Sequence, residues 1–353
     1  MKIGYVIAHD MTRQDGVTKK VLNQVSIWQE AGNEVKLFCF SKNININDEF
    51  INYYKIKSGL NFKIQKATQF FLDINKFQPD IVYLRYTSFG LNTYYLLKKY
   101  KVITEINTYN AGENYLLFKK EKTIKKLLQY LYSDISSFLT VKYSSAIVSV
   151  TYEILNKMNL NNKESIVIPN SISIKNFTSV KERNNKGRIG LFFIGTPNQS
   201  WHGVDYIKKL ALLLPQYDFH IIGMDETNTN NLYWHGYISQ VQYLKIIKKC
   251  HIGIGSLALF RNNMVEACPL KVREYISYGF PVIIGYEETA FKLYDETPDW
   301  ALNINVKNLE NEIKKIIEFI EKNKNNILNK NKIAKYIDSS ILEMTRINFF
   351  KRV

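Results

Sequence analysis

Two glutamates, Glu266 and Glu274, bracket the start of a helical segment in the run EACPLKVREYISYGFPVIIG, residues 266–285 of the chain. Proline suits the first helical position because its missing N–H costs nothing there, so Pro269 marks the expected helix start. Gly279 marks its end, ahead of a hydrophobic strand from Phe280 to Ile284, and the helix is expected to run about three turns. Its first turn, Leu270, Lys271 and Val272, offers unpaired backbone N–H groups and the positive end of the helix dipole, and Lys271 adds a full charge. That combination suits a diphosphate without a metal ion. Glu274 lies just past the turn, where a carboxylate can accept hydrogen bonds from ribose hydroxyls; Glu266, in the preceding loop, can reach a sugar hydroxyl beyond the diphosphate.

The spacing of the two carboxylates carries no weight by itself. The chain has 20 glutamates in 353 residues and five pairs at this separation, where roughly one is expected by chance. Glu105/Glu113, Glu113/Glu121, Glu288/Glu296 and Glu310/Glu318 share it, but none straddles a helix start followed by a Gly-Phe-Pro break and a β-branched strand. Taken alone, residues 266–274 also fit an ordinary helix flanked by two solvated carboxylates.

The positioning elements follow from periodicity. Short β-branched or apolar runs near 2–8, 34–40, 80–84, 101–105, 145–150 and 165–168 alternate with helical patterns beginning near Val17, Phe62, Phe89, Glu113 and Thr151. After Pro169-Asn170-Ser171 and a polar stretch to about 187, the alternation restarts: strands at 189–194, 219–223, 252–255 and 281–284, with helices from Gly203, Ser239 and Pro269. Alternation of this kind predicts an α/β protein of two Rossmann-like, doubly wound parallel-sheet domains. We place them at 1–170 and 171–337. From Val306 the chain reads as helical, and a last helix near 338–353 carries Ile341, Leu342, Met344, Ile347, Phe349 and Phe350, apolar surface that predicts packing back on the first domain.

Composition narrows the function classes. A hydrophobic content of 46% in 353 residues supports two cores and excludes disorder. Cys39, Cys250 and Cys268 form no CxxC or zinc pattern and read as packing residues in a reducing compartment. No apolar run reaches membrane-spanning length, and the start reads as a first buried strand, so a cytoplasmic or peripheral protein is expected. The net charge of +16 comes with no zinc-finger, helix-turn-helix or RNA-binding aromatic motif, and no nucleic-acid partner is expected. From Tyr115 to Leu139, Leu, Phe, Ile and Tyr interleave with Lys119, Lys120, Lys122, Lys125 and Lys126, the pattern of an interfacial helix on an anionic membrane. A surface helix with a solvated basic face gives the same pattern.

The order of several pieces then resembles one family. Met1-Lys2-Ile3, Asp15-Gly16-Val17, Pro79 to Tyr83, Ile168 to Ser171, Ile194-Gly195, Trp201-His202-Gly203-Val204, Ile222-Gly223, His235-Gly236 and the 266–285 run resemble the retaining family-4 glycosyltransferases of the GT-B fold, whose two domains face a cleft. The resemblance covers nearly the whole chain. It implies a UDP- or GDP-linked sugar donor on the second domain, a glycan or lipid-linked glycan acceptor on the first, no cofactor and no metal, in keeping with the lack of an Asp-x-Asp motif. Carried over by residue, Glu266 contacts the transferred sugar, Glu274 the ribose, the Pro269 helix the diphosphate, and the Gly236 loop the nucleobase, with Gly16 and Gly195 in the donor-side loops.

Two departures qualify this. A basic pair common in the family's loop after the first strand of the second domain is absent from GTPNQSWHGVD, where His202 stands in the lysine position. Arg261 and Lys271 are the replacement candidates, and His202 contributes if protonated; Trp201-His202-Gly203 also reads as a tight helix entry. In the first domain a glycine pair is reduced to Gly16, and Glu105 and Asn107 stand where a histidine is common. Glu105, at a buried strand end, suits a substrate contact or an ion pair with Arg85, and His9, at the end of the first strand, a contact, a cap or a surface position. Retention without a placed nucleophile implies front-face displacement. The alternatives are a nucleotide-sugar epimerase on the same fold and a non-catalytic basic protein binding membrane or nucleic acid.

Overall fold

A computed structural model describes the chain except Gln14, residues 45–49, 58–62, Asn159, Asn161, Asn176 and 182–186. Two compact units emerge, one made of Met1–Pro169 with Ser339–Val353, the other of Asn170–Asp338.

In the first unit seven parallel strands form one sheet. They are β1 (Lys2–Ala8), β2 (Glu34–Ser41), β3 (Ile51–Lys55), β4 (Ile81–Arg85), β5 (Val102–Ile106), β6 (Ala146–Ser149) and β7 (Ser165–Val167), in the order β3-β2-β1-β4-β5-β6-β7. Helices α1 (Gly16–Glu30), α2 (Thr68–Phe77), α3 (Leu91–Lys99), α4 (Asn110–Glu121), α5 (Ile124–Tyr143) and α6 (Tyr152–Lys157) connect them. Strand β4, with Ile81, Val82, Tyr83 and Leu84 all buried, shows why the sequence reads as continuous apolar runs: helices cover both faces of a parallel sheet. The C-terminal helix, which we number α13 (Ser339–Arg352), belongs to this unit, and its Phe350 packs edge-on against Trp28 at 5.3 Å between ring centroids.

The second unit repeats the plan with β8 (Gly190–Ile194), β9 (Asp218–Ile222), β10 (Leu232–Trp234), β11 (Ile252–Ile254), β13 (Val282–Ile284) and β15 (Ala301–Asn303), ordered β10-β9-β8-β11-β13-β15. A separate two-strand ladder joins β12 (Glu266–Ala267) to β14 (Glu287–Glu288). The helices are α7 (Val204–Leu213), α8 (Gln240–Ile247), α9 (Leu270–Ser277), α10 (Thr289–Leu293), α11 (Leu309–Asn323) and α12 (Lys330–Ile337).

Four expectations change. Pro269 is the N-cap, extended at φ −70° and ψ 138°, and α9 has only eight residues, closer to two turns than three. Glu266 sits on β12, not in a loop. The single interfacial helix over 115–139 is two: Lys122 takes a left-handed conformation at φ 50°, and Thr123 starts α5 by accepting a hydrogen bond from the Lys126 amide. Short strands β3, β10 and β15 escaped notice because three to five residues at or near a sheet edge carry little periodicity. The helix start expected near Phe62 lies outside the described residues. All three cysteines are free and buried.

Candidate functional site

In each sheet the strand order reverses direction beside the first strand, and ligands of doubly wound folds bind at the C-terminal ends of strands flanking that point. In the second unit the point lies between β8 and β11. Three glycine loops close the ends of β8, β9 and β10. The Gly195 amide donates to Ile222 O at 3.0 Å and the Gly223 amide to Gly236 O at 2.8 Å. Gly223 has φ +88°, and a Cβ there would lie 2.1 Å from Gly195 O; a Cβ on Gly195 would strike the Phe193 ring. Only glycine lets these backbones approach.

Lys271 reaches this end of the sheet from the first turn of α9. Its ammonium lies 4.3 Å from the centroid of Phe193, the penultimate residue of β8. Nζ is closed off from solvent and has no hydrogen-bond partner, and burial pulls its pKa down to about 7. An uncompensated ammonium in such a place costs several kcal/mol unless an anion joins it (roughly, from the desolvation of a single ion). No side chain caps α9, so its leading amides add donors at the same helix start.

His202 lies beside this group but does not supply charge. Burial first, and then the neighbouring Lys271 cation, lower its pKa to about 3, so the ring is neutral at physiological pH. Its Nδ1 is buried without a partner. The residue closes a short 3₁₀ turn, Ser200–His202, and Gly203 at φ +71° leads into α7, so the tight helix entry is what this sequence builds. Arg261 is also committed: its guanidinium forks onto Asp205 at 2.8 and 2.6 Å and onto Ser200 O at 2.9 Å. Of the three basic candidates, Lys271 alone combines charge with an open coordination shell among the described residues.

The carboxylates are held differently. Glu274 Oε1 accepts from Tyr243 OH and Tyr278 OH, both at 2.8 Å, and Gln240 donates to Tyr278 OH at 3.0 Å. Tyr278 follows Glu274 by one helical turn, a spacing visible in the sequence; Tyr243, on α8, was not foreseeable from it. Glu266 is buried, with Lys292 Nζ 3.7 Å from its carboxylate. Val272 is buried core, Leu270 is half-buried, and Gly236, at φ +60°, follows β10. The next helical residue after Glu274, Tyr275, pins the sheet end by accepting from Ile194 N at 2.8 Å.

In the first unit Glu105 is fully buried. Lys20 Nζ lies 2.8 Å, Arg85 3.2 Å and Arg346 3.5 Å from its carboxylate, and Asn107 Nδ2 donates at 3.0 Å. Burial pushes its carboxyl up, but Lys20, Arg346 and Arg85 together outweigh burial and hold it well below the usual carboxylate range. The pairing with Arg85 is therefore present, and both oxygens are engaged. His9 Nε2 lies 3.2 Å from Asp15, which caps α1 through the Val17 and Thr18 amides; Gly16 is the exposed first residue of that helix.

No family model matches the chain, and no curated protein matches it. Solved structures do. The apo form of the lipopolysaccharide outer core galactosyltransferase WaaB matches at 14% identity and a TM-score of 0.68, over 100% of both chains. Sucrose-phosphate synthase from Thermosynechococcus elongatus matches at 10% identity and 0.68, over 99% of this chain and 98% of that one. An α-glucosyltransferase in complex with UDP and a 13-mer DNA matches at 15% and 0.63, over 99% of both. These neighbours are glycosyltransferases of the GT-B class, and the chain has the GT-B fold. That last neighbour is solved with DNA bound, which stands against the expectation of no nucleic-acid partner but is a property of that protein.

Proposed function

We propose that the chain is a retaining glycosyltransferase whose second unit holds a UDP- or GDP-linked sugar and whose first unit binds a lipid-linked glycan acceptor, in cell-surface polysaccharide synthesis of the lipopolysaccharide or capsule type. One observation carries the donor site: the buried, unpartnered Lys271 ammonium beside the uncapped start of α9, at the reversal point of the sheet. A diphosphate supplies the missing anion. Lys271 and the leading amides then neutralise the charge that grows as the bond from the anomeric carbon to the diphosphate oxygen breaks, so the chemistry asks for no metal ion. Glu274, oriented by Tyr243 and Tyr278, accepts from the ribose; Glu266 accepts from the transferred sugar; the Gly236 loop borders the base. His202, neutral, offers a hydrogen bond and no charge. The acceptor oxygen bonds to the anomeric carbon on the face the diphosphate leaves, and its proton passes to the leaving diphosphate oxygen.

Incubation with a panel of nucleotide sugars tests this reading. Release of UDP or GDP from one of them, unaffected by EDTA, is expected; no release from any, with liposomes and lipid extracts present, contradicts it.

Lys271 also sets a pH dependence. With its pKa at about 7 in the free protein, the site binds a diphosphate most tightly when the lysine is charged. Raising the pH from about 7 toward 9 should weaken nucleotide binding by up to tenfold per unit, with proton uptake on binding visible by calorimetry in buffers of different ionisation enthalpy. An affinity constant across that range contradicts the role.

For the acceptor side, α5 presents Ile124, Leu128, Leu131, Ile135 and Phe138 to solvent, a stripe at helical spacing. The first unit carries 26 Lys and Arg against 15 Asp and Glu. Charge alone would suit DNA; the apolar stripe favours an anionic bilayer at the cytoplasmic face. No helix is long and apolar enough to cross a membrane among the described residues. Sedimentation with phosphatidylglycerol liposomes is expected and should fall at least tenfold in Lys125→Glu/Lys126→Glu, consistent with about 1 kcal/mol per basic residue at such a surface. Equal sedimentation of both proteins would remove the membrane from the proposal.

A further inference from the structure

Behind the donor helix lies a second buried group that the reaction does not use. Arg273 follows Val272 on α9 and is fully buried. Its Nη2 lies 2.6 Å from Glu288 Oε1, and its Nε donates to Asn170 O at 2.8 Å. Glu288 closes β14 and turns the chain into α10 by accepting from the Ala290 amide at 3.3 Å. Strand β14 is the partner of β12, pairing Glu266 with Glu287 and Ala267 with Glu288. Asn170 completes the loop: its Nδ2 donates to Cys268 O at 2.8 Å, and Cys268 immediately precedes the N-cap Pro269.

The connections form a closed circuit. From Glu274 one residue back is Arg273; across the ion pair is Glu288; across the ladder is Ala267, next to Glu266. The same guanidinium grips the chain at Asn170, which holds the 266–269 segment from the other side. We infer that the Arg273–Glu288 pair is a positioning device that fixes the distance and angle between Glu266 and Glu274, and so between the sugar and ribose contacts of the donor site. The inference rests on the donor reading above.

Its strength comes from what the pair leaves undone. Arg273 Nη1, Glu288 Oε2 and Tyr286 OH are all buried without a partner. A buried pair selected for stability alone would be expected to satisfy these atoms, and replacing such a pair by apolar side chains of similar volume is often neutral or stabilising. Retaining both charges here buys geometry: the fork of arginine sets two directions at once, which a lysine or a methionine cannot. Both side chains are buried, so both act through the carboxylates they align.

The test separates alignment from stability. In Arg273→Met/Glu288→Met both charges go together, so no lone ion is left in the core, and the melting temperature is expected within a few degrees of wild type. The dissociation constant for UDP or GDP, whichever the wild type binds, should rise at least tenfold by calorimetry, and the extra affinity of the nucleotide sugar over the nucleotide should vanish. Arg273→Lys, which keeps the charge but loses the fork, is expected to fold and to show an intermediate loss of about threefold; it decides the matter if the double variant does not fold. Wild-type affinity in a folded double variant, or in Arg273→Lys, overturns the positioning role while leaving the donor site standing. Failure of the wild type to bind either nucleotide overturns both.

Discussion

Replacing Lys271 by methionine is expected to weaken binding of the nucleoside diphosphate by about tenfold to a hundredfold, and to raise the melting temperature of the unliganded protein. The two effects have one cause. A hydrogen bond to a charged group is worth roughly 1.5–3 kcal/mol, and about 1.4 kcal/mol corresponds to a factor of ten. In the free protein the same ammonium is buried beside Phe193 with no partner, and its lowered pKa means that the fold loses stability by keeping the lysine charged. The sign follows from linkage: a lysine that titrates near 7 when folded and near 10.5 when unfolded destabilises the fold fully below pH 7, and the penalty fades as pH rises toward 10.5. Methionine keeps the stem and removes the charge. Calorimetric titration and thermal melts at pH 6.5 and 9 read both arms; the gain in melting temperature should shrink at the higher pH. Unchanged affinity in a folded variant would take Lys271 off the diphosphate.

The second large effect is structural and lies in the first unit. Arg346→Ala should destabilise the protein by about 3–5 kcal/mol, the usual cost of removing one partner from a buried ion network. Arg346 is fully buried on α13, donates to Glu343 at 2.8 Å and to Tyr83 OH, and stands 3.5 Å from Glu105. Its loss leaves Glu343 buried without its cation and takes one of three cations from Glu105, which keeps Lys20 and Arg85. Glu343 also accepts from Trp28 Nε1 at 2.9 Å and Gln24 Nε2 at 3.2 Å, so the network ties the C-terminal helix to α1 and β5 at once. Denaturation by urea should show a lower midpoint, and truncation before Ser339 should be more damaging still. An unfolding free energy within about 0.5 kcal/mol of wild type would mean that the carboxylates find water or protons instead.

How much of this was legible in the sequence depends on the length over which each signal repeats. The two parallel sheets were, because strands such as β1 and β8 carry five or more consecutive apolar residues and are followed by helices of ten or more. Short strands were not: β12 and β14 have two residues each, and no periodicity exists in two residues. Lys271 was legible as a charge at a helix start, but its isolation was not, since that depends on Phe193 lying across from it 78 positions earlier in the chain. The same holds for the competing candidates. Asp205 removes Arg261 from the free cations, and burial removes the charge from His202, and both facts belong to packing. Glu105 was readable as a buried strand end with Arg85 as a partner on the next strand. Lys20 and Arg346, 85 and 241 positions away, were beyond any local rule.

If the start of α9 in the second unit is built for a nucleoside diphosphate, with Glu274 on its ribose, a nucleotide must stabilise the folded protein. Thermal denaturation with a panel of UDP- and GDP-sugars addresses it most directly, because a ligand at 100 times its dissociation constant stabilises by about 2.7 kcal/mol. One nucleotide sugar is expected to raise the melting temperature of the wild type by several degrees at millimolar concentration, and Glu274→Ala, folded to the same extent, to abolish the rise. If no nucleotide shifts the wild-type curve at millimolar levels, or if Glu274→Ala shifts as far as the wild type, the site has been assigned to the wrong ligand.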